Sequence, residues 1–285
     1  MKIRSIWFGL IALGFVMHVG IFGGFSDLTI FFNTHALALV FGGTVAITLL
    51  SYSFKMISEL IDFLIYGFFL KKSSYDIEVI YELLTSLYQN KSPFFDAKKR
   101  KYNHMFVLDG LLLLREKHMT ADEVYDAMGM RVQNFKIRYQ AYAKVLLNIS
   151  KYPPALGLLG ASTGMIQMMT NLGSGGPEAM GKAMAVALTA TFWGIGLANF
   201  VFLPLADYAF QLAEDDNHIR EVIAEAIVKE KEGTSFESLI EVITFGLDIN
   251  EQVAVRKALG QFIAKYTETS QSVEPPVKDE VESAS

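Results

Sequence analysis

AMAVALTATFWGIGLANFVFLPLA, residues Ala183–Ala206, runs for 24 residues without one Asp, Glu, Lys or Arg. A helix needs roughly 20 mostly apolar residues to cross a bilayer, so this stretch reads as a membrane span. Three more stretches share its character: Ser5–Ser26, Leu28–Phe54 and Tyr152–Pro177 carry no charge either. Spans are therefore predicted near 5–24, 34–54, 155–173 and 183–204. Lys2 and Arg4 precede the first of them. That run is too long for a signal peptide, and no small-x-small cleavage pattern follows it, so it is expected to be a retained helix. The composition agrees. Of 285 residues, 52% are hydrophobic and 19% charged, below the roughly 25% charge usual in soluble domains. A net charge of −5 gives no reason to expect a nucleic-acid partner. The absence of cysteine removes thiolate catalysis, zinc-thiolate sites and iron–sulfur clusters. No cofactor, metal site, catalytic residue or enzymatic activity is expected.

Positive charge sets the orientation. Residues 55–151 carry 15 Lys and Arg and the chain after 204 carries seven, whereas the 25–34 loop carries none and the 174–182 loop only Lys182. Both termini and the large loop are thus expected in the cytoplasm. Those segments read as helical. Ile77, Ile80, Leu83, Leu84 and Leu87 recur at spacings of three and four, as do Val124, Met128, Val132, Phe135 and Tyr139. Thr120 and Glu123 form a candidate capping box for the second of these helices. The tail is predicted to continue the fourth span through 205–231, with a helix near 235–246. The fold expected is an all-α integral membrane protein of four transmembrane helices with a helical cytoplasmic region. Its parts are 1–54 (two spans), 55–151 (cytoplasmic loop), 152–206 (third and fourth spans), 207–266 (C-terminal helices) and 267–285 (an acidic tail expected to be disordered).

Gly157, Gly160 and Gly164 form a small-residue stripe in the third span, and Ala183, Ala187, Ala190, Gly194 and Ala198 form one in the fourth. Such stripes let helix backbones approach closely. Ser162, Thr163, Gln167, Thr170, Thr189 and Thr191 lie among them. A hydroxyl inside a helix either bonds back to its own backbone or faces a polar path. Gln167 is expected to face protein or water. No span holds a carboxylate or a basic residue, yet ion carriers place an ionisable group at membrane depth. If the chain moves ions, a partner must supply that group. His18 and His35 sit near span ends and read as interfacial. Pro153 and Pro154 open the third span, and Pro204 closes the fourth or kinks it, freeing the Phe200 carbonyl. The basic run Lys98, Lys99, Arg100 and Lys101 is either a solvated face or a contact for an acidic surface.

Gly42-Gly43-Thr44 joins Tyr152, Pro154, Gly157, Gly160 and Gly164, then Ala185-Val186-Ala187-Leu188, Thr191, Gly194 and Leu197-Ala198-Asn199. Phe202-Leu203-Pro204-Leu205-Ala206-Asp207, Arg220-Glu221-Val222-Ile223 and Glu232-Gly233 complete an ordered series. In these residues the chain resembles the MotA/PomA family, the channel-forming stator subunits of the bacterial flagellar motor. The resemblance implies a homopentamer in the bacterial inner membrane around a MotB-like, single-span partner bearing an ion-binding aspartate, with torque passed to the rotor switch ring. It puts the family's prolines at Pro154 and Pro204 and its ion-path threonine at Thr191. Sodium-type members resemble Gly-Thr-x-x-Gly in the third span. Here Ala161 stands at the threonine position, followed by Ser162 and Thr163, which favours a proton as the coupling ion. The rotor-facing Arg and Glu of the family have no clear counterpart, and Lys98–Lys101 is the candidate rotor contact. The rival reading is a TolQ/ExbB-like energiser of an envelope process. Its members resemble a three-span arrangement, unlike the four charge-free stretches here.

Overall fold

In a computed structural model, the structure describes residues 31–65, 75–90, 104–172, 176–245 and 249–271, together with residues 8, 9, 11, 12, 14–16, 19, 96, 98, 99 and 101. Every regular element of more than one turn among them is helical. In chain order these are α1 (Thr34–Ser51), α2 (Phe54–Ile65), α3 (Tyr75–Asn90), α4 (Met105–Arg115), α5 (Ala121–Ile149), α6 (Tyr152–Asn171), α7 (Gly176–Lys231), α8 (Phe236–Phe245) and α9 (Ile249–Gln271). The expected all-helical class therefore holds. Two helices, α1 and α7, are long and apolar enough to cross a membrane. The span expected at 5–24 falls largely outside the described residues. The third expected span corresponds to α6, a helix of 20 residues.

The chain forms two compact units, residues 1–73 with 133–217, and residues 74–132 with 218–285. In the first, α6 and α7 lie against each other along their small-residue stripes. A Cβ built on Gly157 would sit 2.9 Å from the Ala190 carbonyl oxygen, and one on Gly164 would sit 2.8 Å from that of Ala183. These are backbone-to-backbone approaches that only glycine permits. α1 packs beside the pair through Ala36 and Val40, both fully buried with Ala190. A second cluster joins Leu60 of α2 and Tyr142, Ala143, Leu146 and Ile149 of α5 to Ala206 and Ala209 of α7.

In the second unit, the predicted periodicity turns inward. Ile80, Leu83, Leu84 and Leu87 of α3 are fully buried, as are Val124 and Met128 of α5. The capping box forms: Thr120 N–H donates to Glu123 Oε2 at 2.8 Å, and Glu123 N–H donates to Thr120 Oγ1 at 3.3 Å. Lys231 Nζ donates to the carbonyls of Leu114 and Glu116, at 3.1 and 2.9 Å. Those are orphan acceptors at the end of α4, which a lysine is suited to satisfy. The Arg220 guanidinium lies 5.2 Å over the Phe106 ring.

Three boundaries differ from the sequence expectation. The second span, expected through 54, ends at Ser51. Tyr52 turns to extended backbone (φ −131°, ψ 146°), and the Ser53 hydroxyl accepts from Met56 N–H to start α2. The helix of the fourth span begins at Gly176 rather than near 183, because the Glu178–Lys182 pair (2.8 Å) continues it. Past Pro204 that helix continues to Lys231, as the sequence predicts for 205–231. The tail expected to be disordered from 267 is still helical through Gln271. Propagation costs little once a long helix exists. Residues 272–285 lie outside the described residues.

Candidate functional site

The α6–α7 seam gathers most of the residues that the sequence singled out. Thr191 is half-buried, and its Cα lies 3.3 Å from a Cβ built on Gly157. Ala161 is one helical turn from Gly157 along α6. Each hydroxyl here donates back to its own helix. Thr191 reaches Ala187 O at 3.1 Å, Thr189 reaches Ala185 O at 2.7 Å, Ser162 reaches Leu158 O at 3.0 Å and Thr163 reaches Gly160 O at 2.9 Å. A hydroxyl used this way keeps its oxygen lone pairs as acceptors. The seam therefore offers weak polar ligands and no titrating group. Gln167 is exposed.

The prolines occupy two kinds of position. Pro153 and Pro154 are the second and third residues of α6, where a missing N–H leaves no helical bond unmade. Pro204 lies inside α7, directly after a wide π-turn at Ala198–Phe202. The Leu203 N–H bonds Ala198 O five residues back, and Pro204 has no N–H to offer. The helix thus passes its proline by widening one turn instead of breaking. Such π-turns concentrate at functional sites. Asn199 lies in this turn, exposed, with its side-chain amide donating to Ile195 O at 2.9 Å. Sequence reasoning placed Asn199 only within a motif.

The network where α1 gives way to α2 was also missed. The Tyr142 hydroxyl donates to Glu59 Oε2 at 2.9 Å, and Asn148 Nδ2 donates to the Tyr52 hydroxyl at 3.1 Å. Burial, and then the Glu59 carboxylate that accepts its proton, push the Tyr142 phenol up to about 12. The raised value means this bond is fully present below the ordinary value of 10.0 and is lost only as pH rises through about 12. It is therefore insensitive to physiological pH.

The basic run belongs to the other unit. Lys98, Lys99 and Lys101 are exposed. The Asp96 carboxylate accepts the Lys98 N–H at 3.0 Å and pairs with Lys99 at 3.8 Å. Arg100 lies outside the described residues. A pair this exposed holds little energy, roughly 0–1 kcal/mol, so the run stays available to a partner surface. Pro154, Pro204, Thr191, Ala161, Ser162 and Thr163 share the first unit, and the lysines do not.

Known proteins match this arrangement. The model of the MotA/TolQ/ExbB proton channel family matches residues 91–222. The chemotaxis protein PomA of Vibrio alginolyticus is 26% identical over 228 residues, covering 79% of this chain and 87% of that protein. Among solved structures, that of C. jejuni MotAB superposes with a TM-score of 0.76 at 19% identity, covering 87% of this chain and 97% of that one. That of the flagellar MotAB stator complex from Bacillus subtilis gives 0.75 at 20% identity, with the same coverage. Helical architecture, the glycine seam and the family match across both the large loop and the seam agree, and the chain is similar to members of the MotA/TolQ/ExbB proton channel family over this region.

Proposed function

We propose that this chain is the ion-conducting stator subunit of a bacterial flagellar motor, coupling ion flow to torque on the rotor. The observation that carries this reading is the seam itself. Two closely packed helices present small residues, hydroxyls and a π-turn, but no charge between Tyr152 and Pro177 or between Ala183 and Ala206. A path without its own titrating group needs one from outside. The partner that fits is a MotB-like subunit with one membrane helix bearing an aspartate. The likeness to PomA and to two MotAB structures supports this partner over an envelope energiser of the TolQ/ExbB kind.

In this reading four helices cross the inner membrane, both termini are cytoplasmic, and copies close into a homopentamer around the partner's helices. Thr191, Ala161, Ser162 and Thr163 border the ion path, Pro154 and Pro204 relay movement, and Lys98–Lys101 faces the rotor ring. Copurification tests the proposal. The tagged chain is expected to bring down a single-span protein with an aspartate in its membrane helix. Recovery of the chain by itself from membranes that contain such a protein counts against it.

The coupling ion follows from the ligands. A bare sodium ion must replace lost water with oxygen atoms, as other hard cations do. A carboxylate supplies two, and Ala161 adds none. A proton needs only a titrating carboxylate and a nearby water. Swimming at fixed pH is expected to continue when sodium is withdrawn and to stop on addition of a protonophore. Rotation that requires sodium and survives the protonophore contradicts proton coupling.

A further inference from the structure

We propose that α2 lies in the membrane surface, with one exposed stripe of the helix buried in lipid. The inference rests on the reading of α1 as a membrane span. An apolar ribbon leaves that span through Leu49 and Leu50 and continues on α2 through Phe54, Ile61 and Ile65. Leu50 is 87% exposed, Phe54 79% and Ile61 50%. At 100° per residue, Phe54, Ser58, Ile61 and Ile65 fall within roughly 60° of one another. Lys55 and Asp62 lie roughly 80–100° away, and both are exposed. The remaining sector, with Leu60, Phe63 and Leu64, packs on the protein. Among the described residues the helix thus has three faces: one against protein, one charged, and one apolar and exposed.

That division suits a helix lying in an interface, where the apolar stripe enters the boundary between headgroups and acyl chains. Lys55 keeps its ammonium exposed and within 4.0 Å of the Glu59 carboxylate, on the charged side of the helix. Continuity selects lipid as the occupant. The ribbon begins on a helix apolar enough to cross a membrane, and α2 starts two residues after that helix ends. The Phe63 ring sits 4.9 Å from Tyr139, and Glu59 accepts from Tyr142. Through these contacts α2 ties α5 to the membrane surface.

The chain has no cysteine, so a single introduced thiol can be labelled cleanly. Ile61→Cys, Ile65→Cys and Asp62→Cys are each labelled with an environment-sensitive nitrobenzoxadiazole dye. The full chain, with its copurified partner, is reconstituted in phosphatidylethanolamine and phosphatidylglycerol vesicles. At Ile61 and Ile65 a lipid nitroxide near the headgroups is expected to cut emission about twofold, because the stripe sits roughly 5–10 Å deep. Iodide in the water is expected to reach only Asp62. If the Ile61 and Ile65 labels are blind to both quenchers, protein covers the stripe and the proposal is wrong. Iodide quenching equal to that at Asp62 makes the face solvent-exposed and also overturns it. Alkaline carbonate provides the separate control. Release of the chain from the vesicles would overturn the span reading and this inference together, whereas retention with unquenched labels overturns this inference alone.

Discussion

Gly194→Ala is expected to abolish motility in cells that depend on this chain, while Gly196→Ala, two residues on, leaves it intact. The difference lies in what the new methyl meets. A Cβ on Gly194 would sit 2.7 Å from the Pro153 carbonyl oxygen and 3.0 Å from the Gly157 Cα. Both are backbone atoms that no rotamer change can move. On Gly196 the nearest neighbour is the edge of the Phe200 ring at 3.8 Å, an ordinary contact. Overpacking a tight seam costs on the order of 3 kcal/mol, equivalent to about a hundredfold shift in the packing equilibrium. The cost falls on the interface that holds α6 to α7, so lower yield of the assembled complex should accompany lost motility. Normal swimming by the Gly194 variant would mean that the two helices are not required to touch.

Pro154→Ala and Pro204→Ala are each expected to give stators that assemble but drive the motor weakly or not at all. At 204 the reason is geometric. Alanine restores an N–H, and the π-turn at Ala198–Phe202 can then relax toward regular helix. Removing the extra residue from the turn rotates the rest of the helix by roughly 100°. Ala206 and Ala209 are fully buried against Tyr142, Ala143 and Leu146, so packing opposes that rotation and the protein still folds. What changes is the balance between two arrangements of the helix where it leaves the seam. At 154 the added N–H lies in the first turn of α6, beside the Pro153 carbonyl that crowds Gly194. Complex yield and single-motor torque are the measurements. Wild-type torque from both variants would return the prolines to simple punctuation.

The seam was legible because glycine and alanine have one physical use at spacings of three and four in an apolar helix. Gly157, Gly164, Ala183 and Ala190 meet as that use requires. The helix of the large loop was legible from Val124, Met128 and the Thr120–Glu123 box for the same reason. Freedom from charge proved a poorer guide to where helices end. It measures hydropathy, whereas Ser53 starts a new helix inside the apolar run and the Glu178–Lys182 pair extends one beyond it. The π-turn was hidden because a proline alone marks a break or a kink. Whether the helix widens past it depends on how the rest of the helix packs, which the local sequence does not state. Hydroxyl directions were equally out of reach. Ser162, Thr163, Thr189 and Thr191 all turn to their own backbone, a choice set by local geometry and not by composition.

The central claim is that the ion path is completed by a carboxylate from outside the chain. Proton flux into vesicles loaded with a pH-sensitive dye, under an imposed membrane potential, tests it most directly. Three preparations are compared: the chain alone, the chain with its single-span partner, and the chain with that partner's membrane aspartate changed to asparagine. With no carboxylate or basic group in its charge-free stretches, the chain alone is predicted to leak no more than empty vesicles. Flux is predicted only with the intact partner and is expected to vanish with the asparagine variant. Sustained flux through the chain alone would contradict the account.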